Sequence, residues 1–221
     1  MDELLEKLPY WSSLSDAEKR TVKDSAIVNH YESGSALHGN CDKGESCLGM
    51  IHVISGELRA YIISDEGREI TLFRLREGDS CVLSASCIIS QISFDTLITA
   101  VNDADVLIIP PAVFGRLTNE NIHVRCFMYE LAAERFSTVM WVMQQILFYR
   151  LDRRLATFLL SEYQRTGVRT IRMTQEQIAQ NVNSAREAVA RMLKQFALDG
   201  LIENRRGIIV LKDICGLEKL Q

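Results

Sequence analysis

The 221-residue sequence is short of the features that would mark a membrane protein, a secreted protein or an enzyme. No apolar run approaches the roughly 18–20 residues needed to cross a bilayer. The opening residues, Met1-Asp2-Glu3-Leu4-Leu5-Glu6, are acidic where a secretory signal needs a basic start. A cytoplasmic protein with no membrane partner is expected. None of the six cysteines (Cys41, Cys47, Cys81, Cys87, Cys126 and Cys215) stands in CxxC spacing. That argues against a zinc knuckle or a thioredoxin-type pair, and thiols are the expectation in a reducing compartment. There is no Gly-rich phosphate loop, no HExxH and no nucleophile elbow, so an enzyme is not expected. Disorder is not expected either, because 47% of the residues are hydrophobic.

Positive charge is also scarce overall, and a net charge of −4 looks wrong for a nucleic-acid binder. Position changes that. Residues 150–221 hold 13 Lys and Arg against 8 Asp and Glu, a net +5, while the remainder holds 12 against 21, a net −9. An acidic body with a basic C-terminal third is the asymmetry expected when only that third meets phosphate.

Along the chain, Ser15-Asp16-Ala17-Glu18 fits a capping box that opens a short helix to Ala26. Strand-like runs follow at 27–31, 48–54, 57–63, 68–75, 96–101 and 106–109, broken by turn residues such as Ser55-Gly56 and Glu77-Gly78-Asp79. Short strands at this spacing predict a sandwich, roll or barrel. Pro110-Pro111 closes the region. Residues 119–149 contain neither Gly nor Pro, and Ala132, Phe136, Val139, Met143 and Ile146 alternate spacings of 4 and 3, a coiled-coil-like seam. Such a helix is about 45 Å long, more than a small domain covers alone, which favours a partner helix from a second copy.

A second helix over 150–165 precedes a compact unit. Thr174-Gln175-Glu176-Gln177 is another capping box, Ser184 starts a further helix to Leu198, and Asn204-Arg205-Arg206-Gly207 is the centre of a hairpin. Helix, tight turn, helix and hairpin form the winged helix-turn-helix order. In its third helix Val189, Met192, Leu193 and Phe196 fall within about a 100° arc and face the core. Glu187, Ala190, Arg191 and Lys194 point away, with Arg186 on the flank. Arg186 and Arg191 suit bidentate contact with guanine, and Glu187 can accept from cytosine. The competing reading is local: Ser184-Ala185-Arg186-Glu187 is itself a capping box, and the basic residues could be an ordinary solvated face. Thr174, Gln175, Ser184, Lys194, Arg205 and Arg206 are the candidate backbone contacts, which position without specifying.

The segment Met173-Thr174-Gln175-Glu176-Gln177-Ile178-Ala179-Gln180, followed by Ser184-Ala185-Arg186-Glu187-Ala188-Val189-Ala190-Arg191-Met192-Leu193, resembles the DNA-binding domain of the CRP/FNR regulators. The likeness extends through Val53-Ile54-Ser55-Gly56-Glu57-Leu58, Glu66-Gly67-Arg68-Glu69, Gly78-Asp79, Val106-Leu107-Ile108-Ile109-Pro110 and Arg153-Arg154-Leu155-Ala156. It implies an α+β architecture: an N-terminal β-roll sensor (a double-stranded β-helix or jelly roll) over 1–118, a dimerisation helix over 119–149, and a winged helix-turn-helix over 150–221. It also implies a homodimer reading a palindromic TGTGA-like operator on double-stranded DNA, working with RNA polymerase. Arg186, Glu187 and Arg191 would be the base-reading residues.

The sensor departs from the cyclic-AMP-binding members. Those carry a Gly-Glu pair after the Gly-Asp turn and an Arg-Ser or Arg-Thr pair at the next strand, which grips ribose and phosphate. Here the turn continues Ser80-Cys81-Val82-Leu83-Ser84-Ala85-Ser86-Cys87, and Phe94-Asp95 stands where the Arg pair would be. No Arg or Lys lies between Arg76 and Arg116, and a buried phosphate needs a donor fork. An effector other than cyclic AMP is therefore expected near Cys81, Leu83, Ser84, Cys87, Phe94 and Asp95. Three readings stay open for the thiols: pocket-lining hydrophobes, a redox switch, or ligands of haem, an iron–sulfur cluster or another metal. Candidate ligands are Cys41, Cys47, Cys81, Cys87, His38 and His52. A chain with no cofactor, or one whose winged domain mediates protein contact, remains the alternative.

Overall fold

The computed structural model describes residues 1–38, 48–82 and 96–221. They divide into two units, Met1–Arg68 with Leu72–Val139, and Glu69–Thr71 with Met140–Gln221.

The N-terminal unit begins with α1 (Asp2–Leu5), a single 3-10 turn at Trp11–Ser13, and α2 (Asp16–Ser25). The expected capping box opens α2: Glu18 N–H donates to Ser15 Oγ at 3.3 Å, and Ser15 N–H donates to the Glu18 carboxylate at 2.7 Å. The strands are β1 (Ile27–Tyr31), β2 (Ala36–His38), β3 (Met50–Ser55), β4 (Glu57–Ile63), β5 (Glu69–Arg76), β6 (Ser80–Cys81), β7 (Leu97–Ala100) and β8 (Ala104–Ile109). They form two sheets, in the orders β1-β8-β3-β6 and β2-β7-β4-β5, the jelly-roll arrangement the resemblance implies. Two short strands, β2 and β6, were not among the expected ones. At three and two residues they are too short to carry a period.

In the first sheet, alternation sorts the side chains by face. Met50, Leu107 and Ile109 join the buried cluster with Leu5, Leu8, Tyr10, Trp11, Phe114 and Leu117, while their neighbours Ile51, Val53, Val106 and Ile108 are buried on the other face. The turn between β3 and β4 depends on Gly56, at φ +85°, where a Cβ would sit 2.3 Å from the Asp103 carbonyl oxygen and 2.7 Å from Ala104 Cα. No side chain fits there.

Pro110-Pro111 does not merely end the strands. Pro111 is the first residue of α3 (Pro111–Glu120), a position that needs no backbone N–H and prefers the fixed proline φ. The helix expected from residue 119 therefore starts later. Asn121 leaves helical geometry, and its side-chain oxygen accepts from the backbone of His123 at 3.0 Å and Val124 at 3.4 Å. It caps α4 (Ile122–Phe148), 27 residues long.

Helix α4 is apolar on two sides. Val124, Met128 and Leu131 join the buried cluster of the N-terminal unit, and Arg135 continues that row. Of the seam read from the sequence, Phe136 is 67% and Met143 46% exposed, with Ala132, Val139 and Ile146 half-buried. Tyr129 and Leu147 extend this open face.

The C-terminal unit contains α5 (Leu151–Thr166), β9 (Thr170–Ile171), α6 (Gln175–Asn181), α7 (Arg186–Leu198), β10 (Ile202–Arg205), β11 (Ile208–Leu211) and α8 (Ile214–Glu218). The strands form one antiparallel sheet in the order β10-β11-β9. Leu155, Leu159, Ile178, Val189, Leu193, Phe196, Ile202 and Ile209 close its core.

Substitution at two glycines should separate backbone strain from steric overlap. Gly56→Ala and Gly67→Ala both place a side chain at positive φ, worth about 1–2 kcal/mol, but only Gly56 faces backbone atoms. In urea titrations Gly67→Ala is expected to lose no more than that strain, and Gly56→Ala clearly more.

Candidate nucleic-acid interface

The winged unit places its reading helix through a series of local bonds. Thr174 caps α6: Gln177 N–H donates to Thr174 Oγ1 at 3.2 Å, and Thr174 N–H donates to Gln177 Oε1 at 2.8 Å. After α6 the chain turns through Val182, Asn183 and Ser184. Asn183 takes φ +51°, the left-handed conformation that asparagine tolerates better than most side chains. Ser184 N–H reaches back to the Ala179 carbonyl at 3.0 Å. From α5, Arg154 donates to the Val182 carbonyl at 2.7 Å and the Asn183 carbonyl at 3.2 Å. A single charged nitrogen, Nη1, thus holds both carbonyls of the turn that joins α6 to α7.

The capping box read at Ser184-Ala185-Arg186-Glu187 does not form. The N-cap is Ala185, with no side-chain cap bond, and α7 begins at Arg186. Ser184 belongs to the turn instead. Glu187 is therefore not occupied with backbone donors, and Arg186, Glu187, Arg191 and Lys194 are all exposed. On the opposite side Val189, Leu193 and Phe196 are buried, with Met192 packed against the same core. From Arg186 to Lys194 the helix rises about 12 Å at 1.5 Å per residue, comparable with the roughly 12 Å width of a major groove.

Of the other candidates, Thr174 is exposed, and Gln175 and Ser184 are half-buried. The hairpin is tighter than expected. Arg205 pairs with Ile208, leaving Arg206-Gly207 as a two-residue turn with Gly207 at φ +73°. The two arginines differ. Arg205 is ion-paired with Glu203, which Lys212 also meets at 2.9 Å. These bonds, Lys212 first, hold the Glu203 carboxyl below its ordinary range. Arg206 stands exposed at the tip, so it can reach a phosphate while Arg205 would first have to leave Glu203.

The sensor candidates are less gathered. Leu83, Ser84, Cys87, Phe94 and Asp95, with Cys41 and Cys47, lie outside the described residues. His38 ends β2. His52 and Cys81 are both buried on the β3–β6 pair, where Ile51 faces Cys81 and His52 faces Ser80. Neighbouring residues of a strand point to opposite faces, so His52 and Cys81 cannot ligate one ion. His52 Nδ1 shares a hydrogen bond of 2.9 Å with Ser80 Oγ, and burial lowers its pKa. Among the described residues no three His, Cys, Asp or Glu side chains converge as a metal site. No helix among them is long and apolar enough to cross a membrane.

Residues 153–220 match the model of the Crp-like helix-turn-helix domain. A solved transcriptional regulator of the CRP/FNR family from Eubacterium rectale is 41% identical, with 98% of this chain and 99% of that one covered and a TM-score of 0.90. FixK2 from Bradyrhizobium japonicum is 20% identical over 89% of this chain and 97% of its own, at a TM-score of 0.70. The c-di-GMP-responsive regulator CLP from Xanthomonas campestris is 16% identical over 90% of this chain and all of its own (100%), at 0.73. These last two show a common fold. No curated protein sequence matches the chain.

Arg154 was not singled out as a functional residue on sequence, although it lies in a segment that carries the resemblance. Hydrogen bonds from a charged group are worth about 1.5–3 kcal/mol. Arg154→Ala is expected to lower the stability of the winged unit by about that amount, read from its denaturant midpoint, and to weaken any function that needs α7 held at its angle.

Proposed function

The chain belongs to the CRP/FNR family of transcriptional regulators, and from that premise we propose that it acts as a homodimer reading a palindromic DNA site under the control of an effector other than cyclic AMP. The observation that carries the DNA-reading assignment is the outward face of α7, where Arg186, Glu187 and Arg191 are exposed and no capping bond holds Glu187. Arg186 and Arg191 would donate to guanine O6 and N7, and Glu187 would accept from cytosine N4. Thr174, Gln175, Ser184, Lys194, Arg205 and Arg206 would meet phosphates and set the register.

The open face of α4 supports the dimer. An apolar row at alternating spacings of 3 and 4, unburied in the single chain, is what a second copy of the same helix would cover. The division of labour would be sensor over 1–118, dimerisation helix over 119–149 and winged unit over 150–221. An effector in the sensor would shift the population between two arrangements of the paired α4 helices, and so the presentation of the two α7 helices to successive major grooves. RNA polymerase would be the partner once the operator is occupied, in the cytoplasm.

On an operator selected from random duplexes, Arg186→Ala and Arg191→Ala are each expected to cost about 1–3 kcal/mol, roughly 5- to 150-fold in affinity. Arg206→Ala should instead weaken all duplexes alike and flatten the dependence on salt. Unchanged operator affinity in both α7 mutants would remove the base-reading assignment. Duplex binding insensitive to salt would point to a winged unit used for protein contact. Phe136→Glu puts a charge into the proposed dimer face, and light scattering after gel filtration should report a monomer with weakened operator binding.

A further inference from the structure

The most unusual charge in the N-terminal unit is on α4. Arg135 follows Val124, Met128 and Leu131 in the row that packs inward, a place for an aliphatic side chain, and it is 7% exposed. Its Nη2 donates to the Ser80 carbonyl at 3.2 Å, and its guanidinium lies 5.0 Å from the centre of the Phe73 ring. Ser80 is on β6 and Phe73 on β5, and among the described residues β6 and β5 are each the edge of their sheet. The guanidinium therefore bridges two sheet edges.

Its charge is poorly answered there. The neighbouring carboxylate of Glu134 is 66% exposed and 3.8 Å from Nη1, and an exposed pair at that distance contributes little. Nε is buried with no hydrogen-bond partner among the described residues. By contrast, Arg74 and Arg76 meet the carboxylate of Glu57 at 3.1 and 3.2 Å. Removing a cation from water without an anion beside it is costly, and chains keep such a group where an anion arrives to meet it.

We propose that Arg135, between the Ser80 carbonyl and the Phe73 ring, is the anchor for the oxyanion of a small-molecule effector, a carboxylate or phosphoryl group. Nε–H and the remaining Nη2 hydrogen offer the two-pronged donor that such a group accepts, and the Phe73 ring supplies a flat apolar floor. The assignment also answers a feature of the sequence. No Arg or Lys lies between Arg76 and Arg116, so an anionic effector draws its cation from α4, the helix whose pairing it would control. This rests on the reading of the N-terminal unit as the effector-binding part.

The test uses the full chain without DNA. Acetate, succinate and inorganic phosphate are titrated at constant ionic strength against chloride, and the melting temperature is followed. At least one probe should raise it in a saturable manner beyond chloride. A response to the carboxylates alone marks an organic acid and one to phosphate alone marks a phosphorylated compound, both within the proposal. Arg135→Met should abolish the shift while melting no lower than the parent without probe, since it removes a buried charge as well as a bond. A merely structural Arg135 would instead give a variant of lower stability. If Arg135→Met fails to fold, Arg135→Lys keeps the charge but not the fork, and should bind the responding probe more weakly than the parent. Absence of any shift in the parent, or a full shift in either variant, overturns the proposal. Operator binding of the same parent preparation is measured separately: a protein that binds its operator and none of the probes loses this inference and keeps the function proposed above.

Discussion

Helix α4 sets the terms for the rest of the molecule, because it is apolar on more than one side. A helix on the surface of a single domain needs one apolar stripe of about 100°. Here one row, with Val124, Met128 and Leu131, belongs to the buried cluster of the N-terminal unit, and a second, with Tyr129, Phe136, Met143 and Leu147, is left open. Water against that second row is unfavourable in proportion to its area. A long helix of this kind is stable in company, and self-association in symmetric pairs is the commonest way for a soluble chain to provide it.

The reading helix shows how a local rule yields to its surroundings. Ser-x-x-Glu ahead of an apolar run ordinarily signals a capping box, and Ser184 to Glu187 satisfies it. The box fails because Ser184 is already committed: its N–H closes the turn onto Ala179, following a left-handed Asn183. The helix starts one residue after the serine would have capped it, at Ala185 and Arg186. That displacement leaves the acid and the two arginines facing outward together. At Ser15 and Thr174 nothing competes, and the same pattern forms both halves of its box.

Much of the architecture was legible because it rests on repeated signals. The longer strands of the roll, the helical stretch of α4 and the core face of α7 each draw on several residues in period. Single residues decided what was missed. Asn121 capped α4 where an unbroken helix was expected, and Pro111 opened a helix where it had been read as an end. Strands β2 and β6 owe their existence to partners distant in the chain. In the wing, Arg205 and Arg206 are equivalent as letters, and the end of β10 distinguishes them: Arg205 is still in the strand, two residues from Glu203 on the same face, and Arg206 is in the turn. Arg135 was hidden for the opposite reason: it continues an apolar row, so periodicity gives no sign of it.

Among the described sensor residues, two candidate ligands are kept apart by the sheet. A redox or metal reading needs thiols or imidazoles converging within bonding distance, and strand alternation turns Cys81 and His52 away from each other. Their nearness in the sheet is no help, because a shared ion would have to pass through the sheet. His52 is occupied with Ser80, and burial favours its neutral form. Arg135, which meets the main chain of that same serine, has among the described residues the largely exposed Glu134 carboxylate as its neighbour, at 3.8 Å. Among the described residues there remains a buried cation between β5 and β6 whose one neighbouring carboxylate is exposed, an environment suited to an anion. Its arrival would act directly on the helix that has an open face to pair.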